Sequence, residues 1–456
     1  MAEIGIPQRP LRVAIVGSGP SGFFAAETLL KSLVMCTVDM FERLPVPFGL
    51  VRGGVAPDHP KIRSATRVFE KTAEHERVRY FGNVTVGRDL TIEELRHFYD
   101  AILLTYGAEG NRPMGVPGES LAGSHAATAF VGWYNAHPDY RDERFDLTCE
   151  TTVVVGMGNV AMDVARMLAT SVDVLRTTDI ADYALDALAE SRIREIHIVA
   201  RRGPAQAKCT LPELKEMADI PGTTPLVESD EFRLTPACRQ EIEVSPGLKR
   251  IIEVLEDYSR NRPGSGRHIR FRFFLAPAAV LGKDRVEAMC FERTRLAGEP
   301  GHQKAWGTGE LVDIPCGLVF RSVGYRGHPM PGVPFNEKSG TIPHTAGRVE
   351  DNGRELPGLY VAGWIKRGPT GVIGTNKPDS LETVKTLLSD LDRLAPCTEP
   401  DSDAVHRLLT DRGIRGVSYA DWKRIDAAEI ARGAAKNKPR ERFSRVEDML
   451  AVLDGH

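Results

Sequence analysis

The sequence predicts an α/β protein of two three-layer units with a helical tail, and three features predict it. Two apolar, β-branched runs, "LRVAIVG" and "TTVVVG", each enter a glycine-rich turn and then a segment with helical spacing. Each helix leads to a further strand, "TVDMFE" and "IREIHIVA", so the strand–turn–helix–strand unit occurs twice. From about residue 397 the pattern becomes two or three amphipathic helices, such as "YADWKRIDAAEIARG".

The first turn, Gly17-Ser18-Gly19-Pro20-Ser21-Gly22, is a complete G-x-G-x-x-G. Gly17 makes the tight turn, Gly19 lets a pyrophosphate approach the backbone, and Gly22 lets helix and strand pack closely. The helix that starts at Pro20 offers free N–H groups and a favourable dipole to the diphosphate. Glu42 ends the second strand, 25 residues after Gly17. A carboxylate there accepts from both hydroxyls of a bare ribose and repels a 2′-phosphate.

"TAFVGWYNAHPDY", a helix that stops before proline, leads into the second unit. Its turn, Gly156-Met157-Gly158-Asn159-Val160-Ala161, is a G-x-G-x-x-A, in which alanine permits the same packing. The next strand ends not in an acid but in Arg201-Arg202, two guanidiniums able to clasp phosphate bidentately. The anion they predict is the 2′-phosphate of NADP. Arg201 lies 45 residues after Gly156, longer than the usual ~20 of such units. The segment "DVLRTTDIADYALDALAESR" reads as an inserted helix that absorbs the difference. Two dinucleotide sites of opposite preference imply a flavin dinucleotide in the first and a nicotinamide dinucleotide in the second.

From about 268 the chain changes to shorter extended runs, "HIRFRFFLAPAAVLG", "RVEAMCFERTRL" and "ELVDIPCGLVFRSVG", and "GLYVAGW" reads as another buried strand. The expected division is therefore two Rossmann-like domains. An FAD-binding domain takes 1–110 and 320–456, and an NADP-binding domain takes 111–319.

Composition narrows the class. The chain has 456 residues, 42% hydrophobic and 27% charged, with a net charge of −3. That balance argues against a general binder of nucleic acid or membrane surfaces. No apolar run approaches the ~18 residues of a spanning helix, and the start lacks an apolar signal core, so a cytoplasmic protein is the default expectation; a monomer is expected as well. The seven cysteines, Cys36, Cys149, Cys209, Cys238, Cys290, Cys316 and Cys397, are never closer than 26 residues. With no CxxC, the expectation is reduced, mostly buried thiols and no metal or iron–sulfur ligand set. Electrons must then leave the flavin for an external acceptor.

Longer stretches carry a resemblance. "FERLPVPFGLVRGGVAPDHPKIR", "GMGNVAMDVARML", "RRGPAQAKCTLPELKE" and "WIKRGPTGVIGTNKPDSLETV" resemble the adrenodoxin reductase family, and most resemble its bacterial NADPH–ferredoxin reductases. The resemblance covers nearly the whole chain. It implies a reversible transfer of hydride from NADPH to FAD N5, followed by single-electron transfers to a ferredoxin. It places Gly17, Ser18, Gly19, Pro20, Gly22, Glu42, Leu50 and Thr85 around the adenosine and diphosphate of FAD. Trp364, Gly371, Val372 and Ile373 fall around the isoalloxazine. Gly156, Gly158, Asn159, Val160, Arg201, Arg202 and Glu213 fall on NADP, with Arg112 a further addition. His59 and Glu216 match positions implicated in the flavin chemistry, where a histidine and a carboxylate relay a proton.

Ferredoxins are generally acidic, so a basic docking face is expected. The stretch 260–272 offers Arg260, Arg262, Arg267, Arg270 and Arg272 with no acid between them, and Arg239, Lys249 and Arg250 extend it. Two other readings fit the same motifs: a quinone reductase or diaphorase, and a flavoprotein subunit resembling the electron-input part of glutamate synthase.

Overall fold

The structure, a computed structural model, describes residues 4–455. Eighteen strands are named in chain order: β1 (Leu11–Val16), β2 (Cys36–Phe41), β3 (Val78–Phe81), β4 (Ala101–Leu104), β5 (Gly110–Asn111), β6 (Ser124–Ala126), β7 (Thr151–Val155), β8 (Glu195–Val199), β9 (Thr223–Val227), β10 (Arg267–Arg272), β11 (Leu275–Leu281), β12 (Ala288–Ala297), β13 (Lys304–Pro315), β14 (Leu318–Arg321), β15 (Tyr325–Arg326), β16 (His344–Thr345), β17 (Arg348–Asp351) and β18 (Arg354–Val361). They form two main sheets, in the orders β16-β17-β18-β4-β1-β2-β3 and β6-β14-β7-β8-β10-β9.

The first sheet is parallel from β18 to β3, with β16 and β17 added antiparallel. All six residues of β1 are buried, as a parallel strand covered on both faces requires. One face packs on the Pro20–Leu30 helix through Phe23 and Leu29, and on tail residues Trp422, Ile425 and Met449. The other packs on Leu90, Ile92, Leu95 and tail residues Val405 and Leu409. The three tail helices, Ala404–Asp411, Tyr419–Ala434 and Val446–Ala451, thus complete both outer layers of the first unit.

The second sheet is parallel throughout. Helices cover one face, where Phe130, Met162 and Leu168 pack on Ile196 and Ile198. The third layer is a separate antiparallel sheet, β11-β12-β13, whose Met289 and Phe291 pack on Val153 and Val199. The extended run at 268 splits between the two sheets at Phe274, which adopts a left-handed φ of 59°. The inserted segment holds two helices rather than one, Val172–Leu175 and Asp182–Ala189. They are seated by buried Leu175, Ile180, Ala184 and Leu188.

The expected boundary at 319/320 falls inside β14, which pairs with β6 and β7 in the second sheet. The run "ELVDIPCGLVFRSVG" is two strands interrupted at Cys316-Gly317, and its second half belongs to the second unit. The chain passes between the sheets through the short antiparallel pair β5 and β15.

Candidate active site

The first glycine turn has the geometry its spacing demands. Gly17 has φ of 105°, and a Cβ there would lie 2.6 Å from the Tyr106 Cα. A Cβ at Gly22 would lie 2.3 Å from the Gly17 carbonyl oxygen, while Gly19 opens onto free space. Gly19 caps the Pro20–Leu30 helix without any side-chain hydrogen bond, so its first N–H groups are left to a ligand. Glu42 accepts from the Ser18 N–H (3.2 Å) and hydroxyl (2.8 Å) and from the Leu44 N–H (3.2 Å). Burial pushes its carboxyl above the usual carboxylate range, and Arg43 and Ser18 offset this only in part. Donors from a ribose would favour the ionised form. The turn, the free helix N-terminus and Glu42 fit an FAD with an unphosphorylated ribose.

Leu50 is carried to this turn by a strained bend. Phe48 (φ 83°) and Gly49 (φ 50°) are both left-handed, and the Phe48 N–H donates to the Ser18 carbonyl (2.9 Å). An aromatic residue there is an outlier, and no sequence signal marks it. Thr85 follows Val84, whose N–H donates to the Glu42 carbonyl (2.9 Å). The segment beginning at Trp364 abuts the same turn. A Cβ at Gly363 would lie 2.1 Å from Ser21 Oγ, and Ser21 Oγ donates to Asn376 (3.0 Å). Trp364 Nε1 donates to the Thr370 carbonyl (3.1 Å), and its ring lies 5.5 Å from that of Tyr325. Gly371 (φ 82°), exposed Val372 and the Ile373–Thr375 turn lead into the Asn376–Ser389 helix.

The second turn repeats the geometry. Gly156 has φ of 127°, and a Cβ there would lie 2.1 Å from the Ser322 carbonyl oxygen. Gly158 opens onto free space and leaves the Asn159–Ala169 helix uncapped. Asn159 Oδ1 accepts from the Thr210 N–H (2.8 Å), half-buried Val160 follows, and Ala161 is fully buried. Arg201 is exposed and Arg202 half-buried, and neither is paired with a carboxylate among the described residues. Burial and the neighbouring Arg201 charge lower the Arg202 pKa, and Glu241 offsets this only in part. An open cradle beside two unpaired guanidiniums fits NADP. Arg112 instead donates to the carbonyls of Tyr325 (3.1 Å) and Ser339 (2.9 Å), bracing the crossing between the units.

Between the cradles lies a cluster that spacing did not reveal. His59 Nε2 lies 2.9 Å from Glu216, and its Nδ1 3.8 Å from Glu213. Arg166, almost fully buried, pairs with Asp58 (2.6 Å), Asp163 (2.6 Å) and Glu213 (3.1 Å), and lies 3.5 Å from Glu216. One cation is thus shared by four carboxylates. It gains from all of them, and its pKa is raised; each acid gets only a share while bearing its own burial. Burial and Asp163 therefore push Glu213 up to about 7, and burial raises Asp163. Glu213, expected on NADP, is tied into this cluster. The expectation of no clustered ligand set is corrected here. His59, Glu213 and Glu216 bring ligand atoms within 4.8 Å of one another, although Arg166 already supplies positive charge to both carboxylates.

The arginine run is a second correction. Arg260 pairs with Glu256 and Asp257, Arg270 with Glu195 and Glu228, and Arg272 with buried Glu231. Arg267 donates to the carbonyls of Ile193 and Ala169. Acids on β8, in the segment just after β9 and on the preceding helix turn neutralise most of what looked like an unbroken basic stretch. All seven cysteines are free, as expected, and six are buried. Burial pushes Cys209 and Cys316 up to about 12, so these thiols stay protonated.

Two dinucleotide cradles of opposite charge, meeting at one acid–base cluster, define a pyridine-nucleotide-dependent flavoprotein oxidoreductase. A family model described as pyridine nucleotide-disulphide oxidoreductase matches residues 11–203. The mitochondrial NADPH:adrenodoxin oxidoreductase of Salvelinus fontinalis is 46% identical, over 98% of this chain and 92% of its own. The NADPH-ferredoxin reductase FprA of Mycobacterium tuberculosis is also 46% identical, over 97% and 99%. A solved structure of Mycobacterium tuberculosis FprA in complex with NADPH superposes with a TM-score of 0.92 at 44% identity, covering 97% of this chain and 99% of that one. The chain belongs to the adrenodoxin reductase family.

Proposed function

We propose that this chain is an NADPH–ferredoxin reductase. FAD, when bound, supplies the chemistry that splits a hydride from NADPH into single electrons for an iron–sulfur carrier. The chain binds, orients and moves protons. Glu42 holds the flavin-side ribose, and the free N-terminus of the Pro20–Leu30 helix holds its diphosphate. Arg201 and Arg202 grip the 2′-phosphate of NADPH. The His59–Glu216 pair holds an exchangeable proton between the two cradles, with Glu213 and Arg166 setting its charge balance.

The observation that carries this reading is the pair of cradles with opposite charge at corresponding strand ends, in a chain whose cysteines form no redox pair. For an acidic carrier, Arg239, Lys249, Arg250 and Arg262 remain as the docking cations, because no ion pair joins them to a carboxylate among the described residues. Among the described residues no helix is long and apolar enough to cross a membrane.

The purified chain should be yellow and release FAD, not FMN, on denaturation. The decisive test is NADPH-driven reduction of a panel of ferredoxins against quinones, compared by kcat/KM. Ferredoxin should be preferred; quinone turnover with no ferredoxin reduction would replace this reading by a diaphorase.

A further inference from the structure

Two parts of the chain serve neither cradle. One is the inserted segment between the Asn159–Ala169 helix and β8; the other is the stretch after the Tyr419–Ala434 helix. In the structure they meet. Lys438, with its side chain 2% exposed, donates to the Ile180 carbonyl (2.6 Å) and to Asp182 (2.7 Å). Lys436 pairs with the other Asp182 oxygen. Arg442, also buried, donates to Asp179 (2.7 Å) in the second unit and to the Arg52 carbonyl (2.5 Å) in the first.

Asp179 is the centre of this contact. Its second oxygen pairs with Arg63, which also donates to the Asn135 side chain (2.5 Å). Both guanidiniums that grip Asp179 come from the flavin-side unit, one from "HPKIR" and one from the tail. Burial alone would raise the Asp179 carboxyl, but Arg442 and Arg63 outweigh it and hold it down to about 2. Asp179 is therefore ionised at neutral pH, and although burial and Arg63 lower Arg442 to about 9, the pair is charged there and is not a switch near neutrality.

The rest of the connection explains why such a grip matters. The chain crosses between the units through two-residue strands, β5 and β15, and a pair that short is a natural hinge. The units touch again at the acid–base cluster, through Asp58–Arg166 and His59–Glu216. A further buried attachment on the inserted segment opposes rotation about the crossing.

We infer that Asp179, gripped by Arg63 and Arg442, is a positioning residue that fixes the nicotinamide unit over the flavin unit and so sets the approach for hydride transfer. The inference rests on the hydride-transfer reading above. A displacement of ~1 Å at a reacting pair costs up to about a hundredfold in rate, so a loosened attachment should be visible in the chemical step.

The test uses full-length holoenzyme carrying Asp179→Asn, mixed anaerobically with saturating NADPH. The limiting rate of flavin bleaching should fall roughly tenfold or more, while half-saturation by NADPH changes less than about threefold. The long-wavelength charge-transfer absorbance of the nicotinamide–flavin pair should weaken. Hydrogen exchange should accelerate at 171–182 and 436–445. A merely structural role would lower the melting temperature and speed exchange, yet leave the limiting rate and the charge-transfer band of the flavin-loaded fraction unchanged; that result overturns the inference. Should Asp179→Asn fail to fold, Asp182→Asn takes its place, because that side chain is 38% exposed and bears Lys436 and Lys438. An unchanged bleaching rate in Asp182→Asn would overturn the inference equally. Wild-type flavin that NADPH does not bleach at all would instead sink the hydride-transfer reading.

Discussion

The two glycine turns of this molecule are nearly the same object. Each begins with a left-handed glycine whose Cβ position is blocked by the backbone of a later segment, at Tyr106 in one and at Ser322 in the other. Each has a second glycine facing open space and an uncapped 11-residue helix. They differ one strand over, where Glu42 is wrapped in donors and Arg201 and Arg202 form no ion pair with a carboxylate among the described residues. Holding a diphosphate is thus a property of backbone geometry, and both turns share it. Choosing the dinucleotide is a property of side-chain charge, and there they part. The third motif position shows a smaller divergence, since Gly22 has no room for a methyl group and Ala161 fills its place completely.

The strongest way to break the symmetry is to fill the open glycines. Neither Gly19 nor Gly158 has a heavy atom within 4 Å of its Cβ position, so valine at either should leave the fold intact. Gly19→Val should abolish bound flavin, read directly from the visible spectrum. Gly158→Val should keep the flavin and lose its reduction by NADPH. If both variants lose flavin, the cradles are not separate sites.

Next in size is the charge difference itself. Charge-assisted contacts to a phosphate contribute on the order of 1.5–3 kcal/mol each, and 1.4 kcal/mol is about tenfold. Exposure of Arg201 pulls the sum down. Replacing both Arg201 and Arg202 by alanine should weaken NADPH roughly a hundredfold, mainly in KM, and leave NADH and the flavin spectrum nearly unchanged. Steady-state kinetics with both coenzymes check this; equal losses for both would remove the 2′-phosphate assignment.

These features were legible in the sequence because they are local. Glycine spacing, a strand-end acid and paired arginines all lie within one strand–turn–helix–strand unit. The acid–base cluster was legible only in its members, not in its connections. His59, Arg166 and Glu213 come from three distant stretches, and Arg166 carries no mark in sequence that sets it apart from a surface arginine. Phe48 and Phe274 were invisible for another reason, since a left-handed aromatic runs against its own preference and is held by its surroundings. The boundary in β14 was misplaced because a two-residue break at Cys316-Gly317 is too short to register in an extended run.

The cluster gives a third, intermediate effect that neither cradle should show. Glu213 binds its proton more tightly in the folded protein than an unfolded glutamate near 4.5, because burial and Asp163 raise it to about 7. Its contribution to stability is therefore complete below the unfolded value and is lost as pH rises through about 7. Glu213→Gln removes that dependence. Between pH 5 and 8, wild type should lose on the order of 2 kcal/mol relative to the variant. Melting temperatures across the range check it; parallel curves would show that Arg166 holds Glu213 ionised throughout.

The smallest effect concerns partners rather than cofactors, and it applies the same comparison to the surface. Arg201 and Arg202 matter because, among the described residues, no carboxylate forms an ion pair with them. Arg260 is the opposite case, since Glu256 and Asp257 lie 2.9 Å from its guanidinium on the same helix. All three side chains are exposed, so water and salt already screen them, and such a pair is worth well under ~1 kcal/mol. Arg260→Ala should change kcat/KM for an acidic ferredoxin by less than about twofold at physiological salt. Arg250→Glu, at an exposed arginine with no such partner among the described residues, should act more strongly, and the difference should shrink as salt is raised. Measuring both variants at two ionic strengths decides the matter. If Arg260→Ala proves the more damaging, the carrier displaces the local acids and the whole 260–272 stretch is a docking face after all.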